Sequence, residues 1–103
     1  MVSTLKTKVK VKEHIPELAL RKQCDELFHY IESLPEEHIV VDFNGFDICS
    51  RSFAHQYSMN KEKSSKKIEE INIRFIVDMF NVVKRQIERD RQGRITTRIT
   101  TDT

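Results

Sequence analysis

The chain predicts an α/β fold: a single small domain in the order β-α-β-α-β-α, with a small parallel or mixed sheet packed against helices. Three observations predict it. Lysines alternate strictly with uncharged residues over 5–12, a β-branched run occupies Ile39–Phe43, and apolar residues recur every three or four positions between and after these segments. Right-handed crossovers would set neighbouring strands parallel, in two or three layers. At 103 residues and 12.2 kDa, the chain holds one domain with a modest core. The domain is expected over 1–92, followed by a threonine-rich, mobile tail over 93–103.

Leu5, Thr7, Val9 and Val11 alternate with Lys6, Lys8, Lys10 and Lys12, the pattern of a strand with one face on the core. The lysines suit an edge strand, where they block pairing with another molecule. The alternative is a basic stripe for a phosphate backbone, but no aromatic residue is interleaved for base stacking. His14-Ile15-Pro16 then turns the chain, with Pro16 acceptable at a first helical position. Leu20, Cys24, Leu27, Ile31 and Leu34 form the apolar stripe of an amphipathic helix expected over 17–34, widened by Leu18 and Phe28 and stopped by Pro35.

Ile39–Phe43 reads as a central strand buried on both faces, with Val41 and Phe43 in the core, or Val40 if the register is reversed, and Asn44-Gly45 breaks it. Phe46 and Ile48 alternate with Asp47 and Cys49 in the loop that follows. Ser50 stands where a helix N-cap belongs, its hydroxyl able to accept from the first free backbone N–H groups. Phe53, Ala54 and Tyr57 would form the inner face of that helix, and the lysine-rich stretch 60–67 a solvated helix end and loop. A less buried strand is expected over 68–73, with Ile71 and Ile73 on one face. Helical spacing returns at Arg74, with Ile76, Met79, Phe80, Val83 and Ile87 on one stripe and Phe75 and Val82 broadening it; Gly93 is placed to end this helix.

The run Asp42-Phe43-Asn44-Gly45-Phe46-Asp47-Ile48-Cys49-Ser50-Arg51-Ser52-Phe53-Ala54 resembles the core motif of the STAS-like family of uncharacterised prokaryotic proteins. That family is a relative of the STAS domains of anti-sigma-factor antagonists and sulfate transporters. The resemblance spans Leu18 to Arg85 and continues in Ile71-Asn72-Ile73 and Val77-Asp78-Met79. It implies a STAS-like sheet, a surface-presented helix after the central strand, and a signalling partner such as a sensor-kinase-like ATPase. In the antagonists a kinase phosphorylates the second serine of an Asp-Ser-Ser-Gly turn. Aligned from Asp42, that serine falls on Ser52, with Ser50 in place of the turn's Asp and Phe53 in place of its Gly.

Much chemistry is excluded by what the residues lack. There is no GxGxxG, GxxxxGK[ST] or GxSxG pattern. His14, His29, His38 and His55 form no i,i+4 pair and have no cysteine at metal-site spacing, so neither a metal nor a cofactor is expected. Cys24 and Cys49 read as small buried side chains, reduced in a cytoplasmic chain whose first residues carry no apolar signal core. No run approaches the ~20 apolar residues of a membrane span. A net charge of +2 does not by itself imply a polyanionic partner. The expected role is therefore a non-enzymatic signalling module that binds a protein partner through Asn44, Asp47, Ser50, Arg51 and Ser52, with Ser52 a candidate phosphorylation site and a homodimer compatible with it. The alternatives are a nucleic-acid-binding module, using 6–12 with Lys84, Arg85, Arg89, Arg91 and Arg94, and a small-molecule-binding domain.

Overall fold

A computed structural model describes residues 6–101, with side chains described over 6–92. The elements are β1 (Lys6–Lys10), α1 (Arg21–Ser33), β2 (His38–Asp42), α2 (Arg51–Lys63), β3 (Lys67–Ile71) and α3 (Val77–Thr101), with a 3-10 turn at Val11–Glu13. The sheet is parallel in the order β1-β2-β3, with Val9 beside Val41 and Ile39 beside Ile68. The strands are thus sequential, the α/β order is the expected one, and β1 is an edge strand.

Sequential parallel strands with right-handed crossovers carry their helices on one face. Burial agrees: Val9, Ile39, Val41 and Ile68 are buried with Leu27, Ile31, Phe53, Tyr57 and Val83 in one core. The other face carries Lys8, Lys10, Glu69 and the half-buried Val40 and Ile71. Central β2 is therefore apolar-buried on one face, not both. Of two layers or three, the architecture is two. Phe43, just past β2, is fully buried, with its ring 5.6 Å from Tyr57 and 5.8 Å from Phe80.

Several boundaries differ from the periodic expectation. β1 ends at Lys10, and Val11 and Lys12, expected to continue it, lie in the 3-10 turn Val11–Glu13. α1 begins at Arg21, four residues after Glu17, because the Gln23 side chain accepts from the Leu20 backbone N–H at 2.9 Å and holds the first turn there. Leu20 then lies outside the stripe, 57% exposed, while Leu18 and Ile15 are buried from the preceding loop. β3 stops at Ile71 because Asn72 adopts a left-handed backbone (φ 58°); Ile71 stays on the open face and Ile73 turns to the core, so the two do not share a face. α3 begins at Val77 and passes through Gly93 to Thr101, so Gly93 does not end it. The side chains over 93–101, which include Arg94, and all of 102–103 lie outside the described residues, as does the expected mobility of that tail; Leu5 lies outside them too.

Candidate functional site

All three strands end at one end of the sheet, where two loops lead into α2 and α3. Ordinarily a parallel α/β sheet holds its ligand crevice where the strand order reverses. Here the order has no reversal, so what this end offers is loop surface.

The loop after β2 is built from within. Asp42 is 6% exposed, and its Oδ1 accepts from the Asn44 backbone N–H at 2.9 Å and from Asn72 Nδ2 at 2.7 Å. Burial alone would raise the Asp42 pKa, but these two bonds, with the charges of Lys8 and Lys10, hold the carboxyl below its ordinary value. Gly45 takes φ +94°, a conformation that favours glycine, and its carbonyl accepts from Lys12 Nζ at 2.7 Å. The Lys12 ammonium also lies 4.9 Å from the centre of the Phe46 ring. Phe46 and Cys49 are buried and Ile48 is 79% exposed. The expected alternation therefore fails after Asp47, since irregular backbone keeps no period of two.

Ser50 caps α2, accepting from the Phe53 N–H at 3.0 Å. Its hydroxyl also donates to the Ala19 carbonyl at 2.6 Å, and its own N–H donates to the Leu18 carbonyl at 2.8 Å. The cap thus ties α2 to the segment before α1, and its hydroxyl is committed to the fold. Of the other expected site residues, Asn44, Asp47, Arg51 and Ser52 are exposed. Arg51 donates to Gln86 Oε1 at 3.4 Å.

The loop after β3 completes the surface. Its residues Asn72, Arg74 and Phe75 meet Asn44, Gly45, Phe46 and Asp47 around a groove of about 410 Å³. Phe75 is 69% exposed, with the Arg74 guanidinium 5.7 Å from its ring centre. Helical periodicity places Phe75 at the border of the inner stripe of the last helix, broadening it. The turn in which the Ile76 and Val77 N–H groups both donate to the Ile73 carbonyl delays the helix and points Phe75 outward. Asn72, one of the few residues that tolerate a left-handed backbone, is the signal in the sequence that could have placed this break.

Several other groups have internal partners. Lys6 pairs with Glu69 at 3.5 Å, Lys8 approaches Asp42 at 4.0 Å, and His38 is hydrogen-bonded to Glu69. The His38 bond, then the Lys6 charge, hold the Glu69 carboxyl below its ordinary value. Lys66 donates to the Leu34 and Glu36 carbonyls, Lys61 pairs with Glu70, and Arg91 with Glu62. Burial pushes the free thiols of Cys24 and Cys49 up to about 12, with the nearby Asp25 charge adding to the first. A second groove, of about 550 Å³, runs between α2, β3 and α3; Tyr57 lines it and donates to Glu70 Oε2 at 2.8 Å.

Among the described residues no helix is long and apolar enough to cross a membrane. Comparison with family models, curated proteins and solved structures finds no match for this chain.

Proposed function

We propose that the chain is a non-enzymatic regulatory module that binds a protein partner through the 44–49 loop and the first turn of α2. One observation carries this reading. In a loop whose other apolar side chains, Phe46 and Cys49, are buried, Ile48 stands 79% exposed. Exposure of a large apolar side chain on a loop held by Asp42 and Ser50 adds nothing to stability and suits an interface anchor. The likeness of Asp42–Ala54 to the STAS-like family supports a cytoplasmic signalling role and a sensor-kinase-like ATPase as partner. Ser52 is the phosphoacceptor in this reading. It is exposed in the first turn of α2, where free N–H groups and the helix dipole favour an anion. The carboxylate partners of Lys6 and Lys8 weigh against the nucleic-acid alternative.

The test is affinity capture from the native cell with the full chain as bait, wild type beside Ile48→Asp. A partner recovered by wild type and lost with Ile48→Asp, at unchanged melting temperature, supports the reading. Equal recovery by both refutes it. Phosphate on Ser52 in protein from that cell, and altered partner binding by Ser52→Asp, would support the regulatory half; absence of both leaves an interaction surface without a switch.

A further inference from the structure

We infer that the groove between the β2–α2 and β3–α3 loops takes an acidic peptide segment of the partner, seating one apolar side chain between Phe46 and Phe75. This rests on the proposed interaction surface and names what that surface recognises. Phe75 is exposed by construction. Its neighbours Ile73 and Ile76 are drawn into the core, and the turn onto the Ile73 carbonyl holds the backbone between them. Asn72 adds a second constraint. It sits at φ 58° with its amide on the buried Asp42 carboxylate, which links the two loops. Backbone already held by these contacts has little entropy left to lose on binding.

Charge selects the occupant. Each aromatic ring of the groove carries a cation, Lys12 at Phe46 and Arg74 at Phe75. The Asp42 carboxylate is buried beneath and engaged by both asparagines, leaving Asp47 as the exposed carboxylate of the lining. An apolar side chain seated in the groove against Phe75 and the exposed edge of Phe46 would set carboxylates on either side of it near Lys12 and Arg74. A basic segment would meet two like charges instead.

The test uses the full chain, nitrogen-15 labelled, with three capped pentapeptides: Asp-Glu-Leu-Asp-Glu, Asp-Glu-Ala-Asp-Glu and Lys-Lys-Leu-Lys-Lys. The acidic leucine peptide is expected to shift the amide resonances of 44–47 and 72–75. The alanine and lysine peptides, and Arg74→Glu with the acidic leucine peptide, should each bind about tenfold more weakly or worse. The inference is overturned by absence of shifts at these amides, by shifts elsewhere only, or by equal binding of the lysine peptide. Its failure is distinguishable from failure of the interaction surface itself. A partner lost with Ile48→Asp but retained by Arg74→Glu and Phe75→Ala would keep that surface and remove the groove from it.

Discussion

The segments that follow β2 and β3 leave the same end of the sheet and are held in opposite ways. After β2, the chain is fastened at Asp42, at the Gly45 carbonyl, and at Ser50, whose N–H and hydroxyl both reach the segment before α1. After β3, a left-handed Asn72 bonded to the same Asp42 carboxylate and one turn suffice, and Phe75 is left in solvent. The difference separates two uses of loop residues. Where a side chain ends in buried hydrogen bonds, its identity is explained by folding. Where a large apolar group is exposed on backbone that is held in place, the contacts of the fold do not account for its identity, and the proposed interface is what would.

That contrast makes graded expectations. The largest effect belongs to Phe43, which closes β2 beneath the aromatic cluster around Tyr57. Phe43→Ala should cost about 3 to 5 kcal/mol in denaturant unfolding. A loss under about 1 kcal/mol would put Phe43 among ordinary surface positions and unseat the junction above it.

Asp42 comes next, because it serves both loops. Asp42→Ala leaves the Asn44 N–H and the Asn72 amide without their acceptor and should cost about 1 to 3 kcal/mol. Its carboxyl has a lower pKa folded than unfolded, so between those values the unfolded chain binds more protons. The Asp42 contribution is therefore present above the ordinary carboxylate range and lost as pH falls through the lowered value. Urea unfolding across the acid limb should show a shallower loss in Asp42→Asn than in wild type; identical limbs would deny Asp42 this role.

Ser50→Ala removes the α2 cap and should cost about 0.5 to 2 kcal/mol. Ser52→Asp, two residues on, should leave the melting temperature nearly unchanged, since Ser52 is exposed and its carboxylate would sit at the favourable end of the helix dipole. A Ser52→Asp penalty as large as that of Ser50→Ala would mean that both serines serve folding. The smallest effect is expected at Phe75. Phe75→Ala should change stability by no more than about 0.5 kcal/mol while weakening the acidic leucine peptide, and a larger stability loss would return Phe75 to the core and erase the contrast between the loops.

A single alkaline experiment bears on the interior shared by both junctions. The Cys24 and Cys49 thiols are held up to about 12, so above the ordinary thiol value the unfolded chain loses protons that the folded chain keeps. Stability should fall as pH rises through that window, and both thiols should resist alkylation at neutral pH until the chain unfolds. Rapid labelling of the native protein would contradict their burial.

Periodicity and residue type by themselves determined the element order, the inward placing of Val9 and Ile31, the Ser50 cap and the inner face Phe53-Ala54-Tyr57. These are local matters. A period of two or of 3.6, or a hydroxyl before a helical run, acts within a few residues and is legible there. Tertiary structure decided the rest. That β2 is covered on one face followed from the strand order, which Ile39–Val41 cannot encode alone. The end of β3 depended on Asn72 reaching Asp42 across 30 positions of chain, whereas the start of α1 is again a local matter, Gln23 accepting from the Leu20 N–H three residues before it. Phe75 and Ile48 look like core residues in the sequence. They are exposed because irregular backbone sets no side-chain period, and only the contacts that hold each loop determine which apolar group turns inward and which is left in solvent.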